Sequence, residues 1–401
     1  MVRRIVFLLV CMVSALTWAQ TAKPLDDAKL KRQQFEFQKN MPVYAEQLVA
    51  DLTFPLAWEN CRADNFDDWK QRARQQVFEC MLTPPVPPAH FQENGGRYES
   101  RVVGEEQRDG YRALKLEISL SRYYTVPALL LVPNGKGPFP AVNVLHDHGA
   151  HLFIGKEKMI RPLATEDSQV RKDADAWVAS LYEGQYLGDF LAQHGYVVLS
   201  TDAPLWGERG RQEGVDRKAY DVIAGNMMMY GVDLCGYMHY DDIHTTDFLA
   251  SLPEVDSLRI GCAGCSMGAY RAWMLSALTD RVRCGAAICW MTTADHQLTL
   301  RHGRGENGGF ANCLPGLRRF MDYPHVASLA CPKPMLFVNG RQDKLFAIPG
   351  VEKAFTIMHD TWKSQQADGL LETELWDMPH SCPKAAQQRI LEFLDRVLKK
   401  K

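Results

Sequence analysis

The stretch that most constrains this chain is Arg259-Ile260-Gly261-Cys262-Ala263-Gly264-Cys265-Ser266-Met267-Gly268-Ala269-Tyr270, an apolar run that enters Gly-x-Ser-x-Gly and leaves in a helical pattern. A serine at the apex of a strand-to-helix turn sits in strained backbone, and its neighbours must be nearly free of side chain for the two arms to approach. Gly264 and Gly268 meet that need. The turn exposes the Ser266 hydroxyl above a sheet and sets the Met267 N–H at a helix N-terminus, where it can stabilise a developing oxyanion. Ser266 is therefore the candidate nucleophile, and the rest of the chain has to supply a base, an acid and a second oxyanion donor.

From residue 98 onward, apolar strand-like runs alternate with helical patterns. Strands are expected at 98–103, 111–120, 126–133, 140–145, 196–200, 284–290, 334–338 and 371–376, besides the one entering Ser266. Helices are expected at 186–194, 238–252, 267–278 and 385–398. That alternation predicts an α/β fold, a mostly parallel central sheet with helices on both faces. Function in such a sheet gathers at the carboxyl ends of the strands. The rule selects His146 to His151, Asp202, Ser266, the residues after Trp290, Asp343 and His380.

The flanking sequence divides the chain. Met1 to Ala19 carries Arg3 and Arg4, an apolar run from Ile5 to Leu16 and a small-residue site before Gln20, the pattern of a signal peptide. The expected location is secreted or periplasmic. Val10 stands before Cys11 where lipid attachment wants a small residue, and no later stretch is apolar for the roughly 18 residues a membrane span needs. Residues 20–95 read as an N-terminal helical extension, from about 25 to 82, ended by Pro84-Pro85-Val86-Pro87-Pro88. Residues 96–401 form the catalytic domain, with insertions near 152–182, 204–237 and 291–324. A formal net charge of −2 argues against nucleic acid as the main partner and favours small or neutral substrates.

A serine nucleophile needs a base and a carboxylate to orient it. Asp343 follows the strand at 334–338, and His380 lies in Trp376-Asp377-Met378-Pro379-His380 after the last strand. His325 and His359 follow no expected strand, and Asp377 reads as a brace of its own loop. Asp295, one strand earlier, is the rival acid. Cys265 adjoins Ser266 and Cys382 lies two residues past His380, so either a Cys265–Cys382 bridge or buried free thiols fit.

The order Ser, Asp, His, with the elbow and the two loops, resembles the α/β-hydrolase fold. More narrowly, Leu145-His146-Asp147-His148-Gly149-Ala150, Gly195-Tyr196-Val197-Val198-Leu199-Ser200-Thr201-Asp202 with Gly207-Glu208-Arg209, and Val255-Asp256-Ser257-Leu258-Arg259-Ile260 are similar to acetyl xylan esterase-like and dienelactone hydrolase-related enzymes that secreting bacteria use on plant polysaccharides. The resemblance covers roughly residues 95–400. It implies a serine carbohydrate esterase with Met267 and His148 as backbone oxyanion donors and no cofactor. Asp147 stands where related esterases often have glycine, which leaves the second donor open. Glucuronoyl esterases resemble the alternative with Asp295 as the acid.

Three rivals remain at this point. His146-x-His148-x-Ala150-His151 nearly matches a zinc-binding His-x-His-x-Asp-His run, but Ala150 stands where a carboxylate is needed. A non-catalytic glycan-binding protein is disfavoured by the filled triad positions, and a prolyl-oligopeptidase-type peptidase by the absence of repeated strands. For substrate contacts, Arg301, His302 and Arg304 in the third insertion suit an anionic sugar such as a uronate. His151, Trp206 and the methionine-rich segment from Asn226 to Tyr230 are further candidates. The ester is then a uronate methyl ester, as in pectin, or an O-acetyl group, as in xylan.

Overall fold

The computed structural model describes residues 43–399 apart from 64, 212–214 and 299–308. The expected signal peptide, and Arg301, His302 and Arg304, lie outside the described residues. One sheet holds β1 (Ser100–Arg108), β2 (Tyr111–Ile118), β3 (Val126–Pro133), β4 (Phe139–Leu145), β5 (Val197–Thr201), β6 (Val255–Cys265), β7 (Cys284–Ile288), β8 (Met335–Gly340) and β9 (Leu371–Trp376). Their spatial order is β1-β2-β3-β5-β4-β6-β7-β8-β9. The first pairings are antiparallel as far as β3 against β5, and every pairing from β5 to β9 is parallel. The parallel strands all deliver their carboxyl ends to one edge, with β6 and its serine between β4 and β7.

These central strands are apolar on both sides because both faces are covered. Ala287, Met335 and Phe337 point to one core, where Tyr270, Trp273, Phe355 and Trp362 close over them. Ala286, Ile288, Leu336 and Val338 point to the other, against Leu191, Ile390, Phe393 and Leu394. The period-two alternation of a strand thus feeds two helix layers.

Three features differ from the sequence reading. β1 continues past Val103 to Arg108, across a register irregularity between Val102 and Gly104, as a largely exposed polar edge strand. Within the described residues the N-terminal extension is not one helical run: Val43–Ala50 and Phe66–Cys80 are helices, and the stretch between contains Pro55 and ends at Asn65, whose side chain caps the second helix. The described part of that extension packs against the helix layer that covers one face of the sheet. Its stripe Trp69, Ala73, Val77 and Cys80 enters the same core as Tyr270 and Trp273. Arg74 donates to the carbonyl of Ala277 at 2.6 Å and pairs with Asp280, at the opposite end of the Met267–Leu278 helix from Ser266. Helices Ser168–Leu181, Arg217–Met229 and Ile348–Ser364 were not foreseen.

Candidate active site

β6 ends at Cys265 and a helix begins at Met267, so Ser266 alone makes the turn. Its φ of 57° and ψ of −126° lie in a region that strains any side-chain-bearing residue. The neighbours show why both glycines are needed. A Cβ on Gly268 would collide with the Leu145 carbonyl, and one on Gly264 with the Gly268 backbone. Without side chains, the helix N-terminus presses against the end of β4, which brings the loop after Leu145 beside Ser266 and Met267. The Ser266 N–H donates to the Ile288 carbonyl at 2.8 Å, tying the turn to β7.

Asp343 and His380 come together from the ends of β8 and β9. His380 Nδ1 is 2.7 Å from Asp343 Oδ2, and the Asp343 side chain is wholly buried while the imidazole is 19% exposed. With Nδ1–H donating to the carboxylate, Nε2 carries the lone pair, the tautomer a base requires. Burial disfavours the charged ring, but the hydrogen bond and charge of Asp343, helped by Cys289 and Asp147, outweigh it and raise the His380 pKa above the usual imidazole value. Phe346, three residues past Asp343, stacks on the ring with centroids 6.1 Å apart. Asp377 accepts from the Gln342 side chain at 2.7 Å and braces the two loops against each other.

The rival groups are engaged elsewhere. Asp295 pairs with Lys353 at 2.7 Å and His296 at 2.9 Å on a half-exposed short helix. His325 accepts the Asp322 N–H as part of a helix cap, and His359 bonds Thr373.

The Cys265 thiol, next to Ser266, neighbours those of Cys289 and Cys382, which with burial push its pKa well above the usual thiol value. All three are reduced. Cys289 Sγ also lies within 4.8 Å of a His380 ring nitrogen and an Asp343 oxygen. The contacts of the serine's own neighbour therefore gather the ends of β6, β7 and β9. Cys289, with a φ of 59° just past β7, went unread in the sequence.

The loop after β4 is held from every side. His146 Nδ1–H donates to the Asp147 carbonyl at 2.8 Å while Nε2 accepts the Ala203 N–H at 3.0 Å, so both ring nitrogens are used. Burial, with the nearby Arg271 and Lys158 charges, holds this ring neutral. The Asp147 carboxylate accepts from Tyr182 at 2.7 Å and Trp177 at 3.1 Å. Asp147 is thus an anchor that fixes the loop. Trp206 is fully buried beneath it, its indole N–H 3.2 Å from the His148 carbonyl, so it supports the loop and offers no face to a ligand. His151 remains partly exposed, 3.3 Å from Asp173 and stacked on Trp177. Met229 and Tyr230 project into solvent at the end of their helix.

Two groups of side chains have the spacing of metal donors among the described residues. In Glu157, Asp202 and Glu208, Lys156 Nζ already occupies the centre, 3.0, 2.9 and 2.7 Å from the three carboxylates. The other is Cys289, Asp343 and His380, in which the imidazole is already bonded to the carboxylate at 2.7 Å. The three histidines of the His146 loop do not converge on a common point, because His146 is spent on backbone groups.

Comparison with known proteins places this architecture. The model of a family described as an abhydrolase family matches residues 45–367. YtaP of Bacillus subtilis (strain 168), provisionally named a hydrolase, is 29% identical over 62% of this chain and 75% of its own. The chain shares its fold with a Bacteroides fragilis NCTC 9343 protein provisionally named an acetyl xylan esterase, at a TM-score of 0.62, 16% identity, and coverage of 82% of this chain and 80% of that one. It shares it also with a glucuronoyl esterase from Solibacter usitatus, at 0.57, 12% identity, and coverage of 83% and 93%.

Proposed function

The chain belongs to the abhydrolase family, and on that premise we propose that it is a serine carbohydrate esterase that removes small ester substituents from plant cell-wall polysaccharide. The observation that carries the reading is the strained Ser266 turn standing beside a buried Asp343–His380 pair. The acetyl xylan and glucuronoyl esterases of the same fold support a carbohydrate ester as substrate.

In this reading, Ser266 Oγ attacks the ester carbonyl carbon as His380 Nε2 takes its proton. The Met267 N–H and the N–H groups of the loop after β4 receive the negative oxygen. The bond to the alcohol breaks as His380 returns the proton to it, releasing the sugar hydroxyl of an acetyl ester or the methanol of a methyl uronate. Water, deprotonated by His380, then cleaves the acyl-enzyme and restores the Ser266 hydroxyl. No cofactor enters the sequence. The signal pattern of residues 1–19 supports a secreted or periplasmic site of action, which N-terminal sequencing of protein recovered outside the cytoplasm would test.

Acetate and methanol release, assayed in parallel on acetylated xylan and methyl-esterified pectin fragments with Ser266→Ala as control, tests the function. Acetate alone identifies a deacetylase, and methanol alone a uronate methylesterase that gives Arg301 and Arg304 a carboxylate to bind. Neither product, or equal release by folded Ser266→Ala, contradicts the reading.

A further inference from the structure

Lys158 is wholly buried, and none of the chemistry above uses it. Its ammonium meets Asp147 O at 3.1 Å, His148 O at 2.8 Å and Asp147 Oδ1 at 3.4 Å, and lies 5.0 Å from the centre of the Trp177 ring. Three protons thus find three acceptors. Each of the two carbonyls also takes a second donor, His146 Nδ1 on Asp147 O and Trp206 Nε1 on His148 O. In a trans peptide the carbonyl and the N–H of the same unit point in opposite directions. The N–H groups across from these carbonyls belong to His148 and Gly149, in the loop that Gly268 admits beside the serine turn.

We propose that Lys158 is a positioning residue of the oxyanion site: its ammonium fixes and polarises the two peptide groups that present the His148 and Gly149 N–H bonds, strengthening them as donors to the charged oxygen of the ester-hydrolysis intermediate. A charge behind preoriented dipoles acts strongly in a dry interior. Asp147 is then the counter-charge that allows a lysine to be buried there, with Tyr182 and Trp177 completing the carboxylate's bonds. This gives a physical role to the acidic residue that stands where related esterases often carry glycine. Gly149 completes the fit, since a Cβ there would overlap the Trp177 ring.

The inference rests on the serine-esterase reading, and the test separates the two. Turnover of a soluble acetyl ester and affinity for an alkyl boronic acid, a tetrahedral anion mimic, are measured for wild type, Lys158→Met, Lys158→Arg and Ser266→Ala. Lys158→Met is expected to lower kcat by about 10- to 100-fold with little change in KM, and to weaken boronate binding by a similar factor. Lys158→Arg, which keeps the charge, should recover part of both. If Lys158→Met does not fold, Lys158→Met/Asp147→Asn, which leaves no buried unpaired charge, is read in its place with the same expectation. Wild-type kcat and boronate affinity in the folded variant, or a rise in KM alone, overturn the proposal for Lys158. Turnover retained by Ser266→Ala overturns the esterase reading instead.

Discussion

The Asp343 carboxylate and the His380 imidazole meet at 2.7 Å although they leave the sheet from two different strands. Because Nδ1 must donate to that carboxylate, an amide at 343 would favour the wrong tautomer without disturbing the packing. Asp343→Asn is expected to lower kcat by about 10³- to 10⁴-fold. Asp295→Asn is expected to leave kcat nearly unchanged, since its carboxylate is spent on Lys353 and His296. Steady-state kcat of the two variants on one ester checks both statements.

The raised His380 pKa has opposite consequences for stability and for rate. A folded-state value above the unfolded one adds stability that is fully present below the unfolded pKa, about 6.5, and is lost as pH rises through the folded value. The proposed mechanism needs the neutral ring, so kcat/KM should rise with pH through an apparent pKa above 6.5. In Asp343→Asn the residual activity should rise at lower pH. A pH profile on an uncharged ester reads both.

Lys156 holds Glu157, Asp202 and Glu208 around one buried ammonium. Even so, burial and the neighbouring acids push Asp202 up to about 6. Removing the cation leaves buried like charges, so Lys156→Met should cost about 3–5 kcal/mol. Urea denaturation near neutral pH checks the loss, which should shrink as the pH is lowered and the carboxylates take up protons.

Trp69 belongs to the N-terminal extension yet is fully buried in the core it shares with Trp273. Trp69→Ala should therefore destabilise the protein by about 3–5 kcal/mol. Because Trp69 stands apart from the Asp343–His380 pair, and Arg74 of the same helix is tied to Ala277 and Asp280, at the other end of the Met267–Leu278 helix from Ser266, kcat per folded molecule should be close to wild type. Thermal melts paired with kinetics separate the two effects.

The strands and the residues at their ends were legible because their signals are local. An apolar run, a turn and a reactive side chain identify β6 with Ser266, β8 with Asp343 and β9 with His380. The lateral order in which β5 lies outside β4 depends on long-range pairing that no window of sequence contains. Two missed helices did leave traces. Val170, Ala174 and Val178 recur every four residues behind an Asp167 cap, and Val351, Ala354, Phe355, Met358 and Trp362 form a helical stripe after Pro349. Polar residues between them masked the period. Asp147, Lys158 and Trp206 act through partners distant in sequence, so their support of the loop emerges only when the chain is folded.

Every step of the proposed hydrolysis depends on Ser266 as the nucleophile. The most direct measurement is to treat the purified protein with a fluorophosphonate, follow ester hydrolysis, and locate the adduct by peptide mass spectrometry. Activity is expected to fall in proportion to labelling, ending at one adduct per chain on Ser266, and His380→Ala is expected to label far more slowly. Full activity in a protein labelled at Ser266, or inactivation with the adduct on another residue, would contradict that role.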